Sequence, residues 1–486
     1  MSRIRIFIIL GFVNLTLGVK WSSSISTYKA MLKYENLMLE RLHGQTISAQ
    51  KALVELKQNI EQIQLEAKEI YENFEHYFEH PVRQLQLMNR YKYDWRELEN
   101  RSKVPMFLAT KLYGNVTKAM KVFPKHQDRV AARQALLRLE HTYKLDTRDL
   151  ADGNIRGKLA GKTLSATDCA NIAEAAHAVG RDEQCKKWNA ESLSRLYAIG
   201  VNTKKFSSLF PRKYVNCSSN SDKPSLTDGT SLLYRELCNE EIVQKPKKCY
   251  LWTQNKNYWF VFQPVKTEIL NYSPRIIRFY DVARDFEIDS VIKISKSILQ
   301  WGYAGRENIP EDKNINITSP RVGHVAWLLE NETYKTDNGT KDDAIVKSLS
   351  KRVRTIIGLG GTKADVFQVS HYGVGGQFLF HYDNFVRGSE GEKYDGNRIA
   401  SFLLYLSDIP EGGYTAFKYP KVYAKPIKGS AIFWYNLLPD GEANIYGLHA
   451  GCPTLIGSKW IAVKWFHEKE NGMSRNPKYY DDWRGD

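Results

Sequence analysis

Cysteine is scarce in this chain, with 6 residues among 486. This frequency is far below that of the small secreted domains whose folds are held by disulfides. The spacings between the cysteines do not match those of zinc sites. The sequence therefore excludes a disulfide scaffold, and its length allows three modules that each build a hydrophobic core.

Long hydrophobic runs are also rare. The stretch 6–19 is apolar apart from two polar residues, and it follows Arg3 and Arg5. A basic start before a short apolar stretch is typical of a secretory signal peptide, which we expect at 1–19, and a retained signal anchor is the alternative. Other segments do not approach transmembrane length, so we expect a mature chain without a membrane span.

Acidic residues are outnumbered by basic ones, 54 against 70, which gives a formal net charge of +16. A basic balance alone favours nucleic-acid or anionic-surface binding. The lysines and arginines are dispersed, however, and the sequence carries no nucleic-acid-binding motif. We therefore predict no nucleic-acid partner, while acidic partners or a polyanionic matrix remain open.

Sequons for N-glycosylation are frequent. Several Asn-x-Ser/Thr acceptors after a signal peptide are typical of a glycoprotein of the secretory pathway. The acceptors without a proline nearby are Asn115, Asn216, Asn316, Asn331 and Asn338.

The segment 26–79 carries the clearest periodicity in the chain. Its apolar residues alternate three- and four-residue steps with charges between them, as in a coiled-coil seam. The pattern ends at His80-Pro81, where proline is expected to stop the helix. An ordinary amphipathic helix in a bundle is the alternative. The seam consists of Leu53, Leu56, Ile60, Ile63, Ala67, Ile70 and Phe74.

A second helical unit is predicted over 134–199. The stretch 164–169 reads as a capped helix start, and helical segments 170–179 and 183–196 follow on either side of Gly180. The polar stretch 217–230 then reads as a linker.

Two histidines and an aspartate near the carboxyl-terminal end have the composition of a metal site. His381 and Asp383 flank Tyr382 in the apolar run 377–383. If this run is a strand, side chains two residues apart point to one face. His449 then completes a two-histidine, one-carboxylate triad, which leaves open positions on Fe(II) for substrate and dioxygen. Alone, each residue has a common alternative as a surface or structural side chain.

Lys459 lies ten residues after His449 in another apolar, aromatic run. A buried ammonium at this place would pair with the far carboxylate of a dicarboxylic acid cosubstrate. The alternative is that Lys459 and Lys464 are solvated residues on the outer face of a strand.

Motifs in a fixed order surround these residues. They are YGVGGQ (372–377), GNRIA (396–400), LYLSD (404–408), GGYTAF (412–417), FWYNL (433–437), HAGCP (449–453) and KW (459–460). Together they resemble the catalytic region of the animal collagen prolyl 4-hydroxylase α subunit. The resemblance is dense over 275–468 and looser towards the amino terminus.

The resemblance implies a multidomain α+β chain with a carboxyl-terminal double-stranded β-helix (jelly-roll) that binds Fe(II), 2-oxoglutarate and O2. Short β-rich runs separated by Gly, Pro and Asp are compatible with this barrel. The implied organisation is a signal peptide (1–19), a helical coiled-coil dimerisation domain (20–130), a tetratricopeptide-like peptide-substrate domain (131–216), a linker (217–270), a dioxygenase domain (271–470) and a polar tail (471–486).

The resemblance also implies roles for individual residues. His381, Asp383 and His449 become the iron ligands, and Lys459 holds the distal carboxylate of 2-oxoglutarate. Tyr372 and Thr415 are its expected polar neighbours. Arg398 matches a family arginine near the substrate groove, with a packed strand residue as the alternative.

The expected activity is hydroxylation of prolyl C4 in proline-rich or collagen-like peptides, coupled to decarboxylation of 2-oxoglutarate to succinate. L-Ascorbate is the implied reductant. The implied assembly is α2β2, formed through the coiled coil and with protein disulfide isomerase as the β subunit in the endoplasmic reticulum lumen.

The cysteines resemble the family pattern only in part. Cys238 and Cys249 resemble a family disulfide. Cys452 lacks its family partner nearer the carboxyl terminus, so we expect it to be free and packed. The sequence does not decide the pairing of the others, which are Cys169, Cys185 and Cys217.

Two departures from the family matter for function. The stretch 377–381 reads QFLFH, where the family commonly has QYEPH, and Tyr414 replaces a usually small residue and is expected to crowd the cosubstrate pocket. The peptide module is also shortened, since one helix pair precedes the linker where the family carries more helical repeat. Together these features favour a non-catalytic or divergent-substrate α-like subunit that binds proline-rich peptide or assembles with the isomerase. A lysyl hydroxylase resembles the chain less, since that family uses arginine where Lys459 stands. The intact metal triad and Lys459 lead us to predict the active prolyl 4-hydroxylase.

Overall fold

The computed structural model describes residues 25–46, 54–101, 123–199, 217, 232–244, 248–253, 258–302, 320–330, 343–359 and 364–469. The predicted signal peptide, the polar tail, Leu53 and the five sequons lie outside these residues. Within them, each helix is too short or too polar to cross a membrane.

Four helices form the amino-terminal bundle: α1 (Ile25–Thr46), α2 (Val54–Glu72), α3 (Phe74–Phe78) and α4 (Pro81–Arg101). The described seam residues, from Leu56 to Phe74, are all buried within the single chain. They pack where α2 contacts α1, α3 and α4. The seam is thus covered by helices of the same chain, as in the amphipathic-bundle alternative.

A buried ion pair lies at the centre of this bundle. Glu35 of α1 is fully buried and accepts hydrogen bonds from Arg90 Nη2 (2.6 Å), Tyr91 Oη (2.9 Å) and Trp95 Nε1 (3.2 Å) of α4. Both charges need such partners because burial removes them from water. The pair fixes α1 against α4.

A second helical unit follows. Its helices are α5 (His126–Tyr143), α6 (Thr147–Ala151), α7 (Ala166–Ala178) and α8 (Asp182–Ala198), with a hairpin of β1 (Asn154–Ile155) and β2 (Lys158–Leu159) between α6 and α7. Ser165 caps α7, and Asp168 reciprocates in a capping box. Gly180 has a φ of +71°, which permits the reversal into α8. The helix pair predicted around Gly180 is present.

The carboxyl-terminal part contains a nine-stranded major sheet in the order β3-β4-β5-β15-β11-β18-β9-β8-β6. Apolar faces of α11 (Asp285–Ile298) and α12 (Asp343–Ile357) cover one side of it, and short α9 (Leu232–Cys238) and α10 (Tyr258–Phe262) precede β4. The strands are β3 (Cys249–Trp252), β4 (Val265–Asn271), β5 (Ile276–Phe279), β6 (Gln300–Trp301), β8 (His324–Leu328), β9 (Phe367–Tyr372), β11 (Arg398–Tyr405), β15 (Ala431–Tyr435) and β18 (Lys459–His467).

A five-stranded minor sheet, in the order β14-β13-β16-β10-β7, faces the other side of the major sheet. Buried side chains from both sheets form one cluster between them, as in a jelly-roll. The minor strands are β7 (Arg321–Val322), β10 (Gln377–His381), β13 (Thr415–Phe417), β14 (Val422–Ala424) and β16 (His449–Gly451). The described elements are completed by the pair β12 (Glu411–Gly412) and β17 (Thr454–Ile456), the helix α13 (Glu390–Asp395) and a 3-10 helix (Ile445–Gly447).

The helical unit packs directly on the minor-sheet side of the jelly-roll. Arg138 Nε of α5 donates to the Gly375 carbonyl at 2.9 Å, and the Tyr143 hydroxyl donates to the Pro453 carbonyl. Gly375 is required at this contact, because an added Cβ would lie 2.6 Å from Ala135 Cβ. The loops around β10 and β16 are therefore braced by α5.

Two disulfides are present, and one corrects the sequence prediction. Cys238 pairs with Cys452, whereas Cys249 is free and exposed. The predicted Cys238–Cys249 pair and the free Cys452 are thus both wrong. The physical reason is the docking of α9 against β13 and β14 beside Cys452, while Cys249 starts β3 at the edge of the major sheet. The second disulfide, Cys185–Cys217, fastens residue 217 to α8.

Candidate metal and cosubstrate site

His381 and His449 are direct neighbours across the antiparallel pair β10–β16. Asp383 follows β10 by two residues, and its carboxylate oxygens lie 3.6 Å from His381 Nε2 and 3.7 Å from His449 Nε2. One ligand atom of each residue lies within 4.8 Å of the others. The structure therefore brings together the three side chains that the sequence singled out.

Backbone carbonyls orient both imidazoles. His381 Nδ1 is 2.7 Å from the Leu379 carbonyl oxygen, and His449 Nδ1 is 2.9 Å from the Gly447 carbonyl oxygen. A carbonyl only accepts, so each Nδ1 carries the proton and each Nε2 presents its lone pair towards Asp383. This is the arrangement that metal-binding histidines require.

A chain of two hydrogen bonds holds the Asp383 carboxylate in place. The Ser401 hydroxyl donates to its Oδ2 at 2.6 Å, and Asn436 Nδ2 donates to Ser401 Oγ at 2.8 Å. Burial alone raises the pKa of the Asp383 carboxyl, but His449 and His381 lower it, with a net pKa of about 2. Burial and His449 lower the pKa of His381 to about 3. At neutral pH the site thus offers an ionised carboxylate and a neutral His381, the forms that bind metal.

The donor set fits a divalent iron ion. Two imidazole nitrogens and one carboxylate oxygen on a single side leave the opposite coordination positions open. The site is also the one cluster of three or more potential metal-binding side chains in the described part of the chain.

Lys459 opens β18 and pairs across it with Tyr372 of β9. Its side chain is buried, with 2% exposure, and burial lowers the pKa of the ammonium to about 7. Among the described residues, none forms a hydrogen bond or ion pair with Lys459 Nζ, which lies 5.9 Å from the centre of the Tyr372 ring. A buried cation without a partner fits a carboxylate-bearing ligand.

Thr415 supplies a hydroxyl beside Lys459. It is the register neighbour of Gly451 in β16, and an added Cβ at Gly451 would lie 3.7 Å from Lys459 Nζ. Tyr405 Oη donates to Thr415 Oγ1 at 2.8 Å. The Thr415 proton therefore remains available for another acceptor.

The Arg398 side chain contacts other residues of the protein. Its guanidinium donates to Asp365 Oδ2 at 2.6 and 2.9 Å and approaches the Asp383 carbonyl oxygen at 3.5 Å. Its Cζ lies 4.0 Å from the centre of the Trp465 ring. These contacts make it a packed residue that supports the backbone at Asp383, in line with the alternative stated for it.

The two departures from the family act differently. Phe378 stacks on His381 with ring centres 3.5 Å apart, so an aromatic ring packs on the ligand without a phenol. Tyr414 donates a hydrogen bond to Glu240 and stacks on Tyr423, on the face opposite to Thr415. The predicted crowding of the cosubstrate pocket by Tyr414 is wrong, since neighbouring residues of a strand point to opposite faces.

Comparison with known proteins identifies two matching families. The family described as "Prolyl 4-Hydroxylase alpha-subunit, N-terminal region" matches residues 24–157, and the "2OG-Fe(II) oxygenase superfamily" matches residues 367–467.

Similar proteins cover most of the chain. Prolyl 4-hydroxylase subunit alpha-1 of Homo sapiens is 30% identical over 465 residues, which cover 82% of this chain and 84% of the relative. The alpha-1 subunit of Gallus gallus is 29% identical and covers 91% of this chain and 95% of the relative. The alpha-1 subunit of Caenorhabditis elegans is 28% identical and covers 93% of this chain and 89% of the relative.

Two solved structures each match about two fifths of the chain. A viral collagen prolyl hydroxylase from Paramecium Bursaria Chlorella virus-1 is 22% identical, with a TM-score of 0.29, over 40% of this chain and 95% of that chain. A prolyl hydroxylase from Trichoplax adhaerens was solved with a hypoxia inducible factor peptide. It is 19% identical, with a TM-score of 0.31, over 41% of this chain and 87% of that chain.

Proposed function

The chain belongs to the prolyl 4-hydroxylase α-subunit family, and from that premise we propose that it converts prolyl residues of collagen-like peptides to 4-hydroxyproline. Its enzyme class is that of the Fe(II)- and 2-oxoglutarate-dependent dioxygenases. The observation that carries the proposal is the convergence of His381, Asp383 and His449 close to the partnerless ammonium of Lys459.

In this proposal, His381, Asp383 and His449 hold the iron, and Lys459 binds the distal carboxylate of 2-oxoglutarate. When bound, iron, 2-oxoglutarate and O2 supply the oxidising chemistry, in which the cosubstrate becomes succinate and CO2 as one oxygen atom enters the prolyl C4–H bond. A carboxylate next to Lys459 raises its pKa again and keeps the ammonium charged. Thr415 donates its hydroxyl proton to the same carboxylate, because Tyr405 already donates to its oxygen.

Exposed tyrosines around the metal site support a peptide substrate. Tyr382, between two of the ligands, is 41% exposed, and its hydroxyl donates to the Ile445 carbonyl at 3.3 Å. Tyr419 and Tyr446 lie edge to face nearby, with ring centres 5.9 Å apart. Proline-rich segments adopt a polyproline II shape and dock on such aromatic surfaces.

The proposal extends to the wider assembly. L-Ascorbate acts as reductant, and protein disulfide isomerase serves as β subunit in an α2β2 enzyme of the endoplasmic reticulum lumen. The α7–α8 pair belongs to a tetratricopeptide-like peptide module, the amino-terminal helices mediate dimerisation, and the five sequons carry glycans. Family membership supports these points.

A subunit that is non-catalytic or acts on another proline-containing substrate is the second candidate. The specific observation in its favour is Phe378, which packs on the ligand His381 but lacks a phenol for substrate contacts.

The deciding experiment measures succinate release by the chain co-expressed with protein disulfide isomerase, with and without a (Pro-Pro-Gly) repeat peptide. Fe(II), 2-oxoglutarate and ascorbate are present, and the mass of the peptide is recorded. We expect peptide-dependent succinate with an oxygen-sized mass gain on proline, and no turnover for His381→Ala. Peptide-independent succinate indicates a different substrate. Absence of succinate from folded, iron-loaded protein supports the non-catalytic subunit.

A further inference from the structure

Two arginines and a lysine lie together between α4 and α5, far from the metal site in the chain. Lys92 Nζ of α4 and Arg129 Cζ of α5 both lie 5.7 Å from the centre of the Tyr93 ring. Arg133 follows Arg129 by one helical turn, which makes the two guanidinium groups neighbours on α5. We call Lys92, Arg129 and Arg133 the α4–α5 basic cluster.

The two guanidinium groups are buried, with 3% exposure for Arg129 and 6% for Arg133. Within the described residues, the α4–α5 basic cluster has no carboxylate oxygen at ion-pair distance, and Arg133 forms no side-chain hydrogen bond. Arg129 donates one, to Tyr93 Oη at 3.3 Å, and its Nε has no partner. By contrast, Arg90 on the same α4 contacts both Glu35 and Glu66.

The cations also repel one another. The pKa of Arg133 is lowered by burial and by Arg129. The pKa of Lys92 is lowered by burial and by three arginines, which are Arg129, Arg96 and Arg133. The pKa of His126, at the start of α5, is lowered by burial and by all three members of the cluster. These shifts mark a local excess of positive charge.

Neighbouring acids do not neutralise this charge. Asp168 and Glu174 of α7 attract Arg133 only from beyond ion-pair distance. Asp168 already accepts hydrogen bonds from Asn89 Nδ2 and from Ser165. The sequence that joins α4 to α5, 102–122, contains no aspartate or glutamate. Buried cations without a counter-charge are costly, so an anion that reached Arg129 and Arg133 would offset that cost.

We propose that the α4–α5 basic cluster binds a small tetrahedral oxyanion, namely free phosphate or sulfate. Planar guanidinium groups donate paired hydrogen bonds to such oxygens, and the lysine adds a mobile charge. The bound anion links α4 to α5. Arg138 of α5 also donates to the Gly375 carbonyl in the catalytic part of the chain. By linking α4 to α5, the anion therefore stabilises the contact between the amino-terminal bundle and the catalytic part.

The test uses the full chain assembled with protein disulfide isomerase and inorganic phosphate as probe, with sodium chloride of equal ionic strength as reference. A ligand that binds only the folded state raises the melting temperature. We expect a rise of about 2–4 °C in millimolar phosphate, and direct binding by calorimetry. Sulfate should act like phosphate, whereas acetate should act like chloride.

Matched variants separate binding from structure. Arg133→Gln should lose the phosphate response, and without phosphate it should melt at or above the wild-type temperature, because a repelled buried charge is removed. Arg133→Lys keeps the charge and should retain part of the response. Arg148→Gln, with its side chain 69% exposed on α6, should respond like the wild type. No phosphate-specific rise in the wild type, or an equal rise in Arg133→Gln, overturns the proposal.

Discussion

Side chains at the metal site fall into two groups according to whether the protein itself supplies their partners. His381 and His449 each donate a hydrogen bond to a backbone carbonyl, and Asp383 accepts one from Ser401. Lys459 has no such partner among the described residues. Fixed ligands next to a free cation are what an enzyme needs when it binds a metal and then a charged cosubstrate.

Removal of the Lys459 ammonium should therefore weaken cosubstrate binding. We expect Lys459→Ala to raise the KM for 2-oxoglutarate by about 10–100-fold, the equivalent of roughly 1.5–3 kcal/mol for a charged hydrogen bond. Initial rates of succinate release at varied 2-oxoglutarate measure this. Lys459→Arg keeps the cation, so its KM for 2-oxoglutarate should lie between those of the wild type and Lys459→Ala. An unchanged KM in Lys459→Ala means that another group holds the carboxylate.

Loss of the Ser401 hydroxyl should affect the metal more than the fold. Ser401→Ala leaves Asp383 without its 2.6 Å donor, and loss of such an outer partner costs about 10–100-fold in metal affinity or activity. Fe(II) titration of activity and thermal unfolding measure the two effects. Ser297→Ala, which removes a hydroxyl bonded to its own helix α11, is the control. Equal iron requirements for both variants would show that Ser401 is dispensable.

The cluster of His381 and Asp383 was predictable from the sequence because two-residue spacing in a strand places the two side chains on one face. Ser401, Asn436 and Tyr405 were missed as site residues. Ser401 and Tyr405 lie four residues apart in β11, so they share a face. Their partners lie in other elements: Asp383 and Asn436 follow β10 and β15, and Thr415 belongs to β13. Without the sheet order, that spacing does not reveal what the hydroxyls contact.

Among the secondary structure elements, α2 shows how a periodic pattern leaves its partner undecided. The three- and four-residue steps correctly predicted a helix with one buried face. The same steps do not tell whether that face packs on a second chain or on α1 and α4. In the single chain, Ile60 is 1% exposed, whereas Leu65 and Tyr71 on the outer face of α2 are 70% and 55% exposed.

Charge substitutions on the two faces of α2 should therefore act differently. Ile60→Asp buries a carboxylate without a partner and should destabilise the bundle by several kcal/mol, on the order of 3–5. Leu65→Asp should leave the fold intact and, if α2 mediates dimerisation, should halve the mass in light scattering. Circular dichroism during thermal unfolding checks folding. A stable Ile60→Asp variant that is monomeric would instead favour the intermolecular seam.

In the whole molecule, hydrogen bonds join the helical unit to the jelly-roll, and a disulfide joins α9 to it. Cys238–Cys452 spans 214 residues and connects α9 to the strand region that carries His449. The sequence suggested the wrong pair, because Cys238 and Cys249 are close in the chain. The distance between α9 and Cys452 depends on how α9 docks on β13 and β14, which local sequence does not encode.

Peptide mapping without reduction tests this connection. We expect a peptide that joins Cys238 to Cys452 and rapid alkylation of exposed Cys249 in the native protein. Cys452→Ser should lower the stability of the α9 contact, by up to about 5 kcal/mol from loop-closure entropy. Cys169→Ser, at a buried free thiol, is the comparison variant. A joined Cys238–Cys249 peptide would contradict the structure.

The direct pairing of His381 with His449 also bears on how the enzyme matures. A shift of one residue between β10 and β16 would turn one of the two imidazoles to the other face of the sheet, away from its partner. These strands come from distant parts of the chain, and such pairings form slowly. A nascent or misregistered chain would lack the complete three-residue cluster, so metal binding at this site would require the pairing of β10 with β16 to form first.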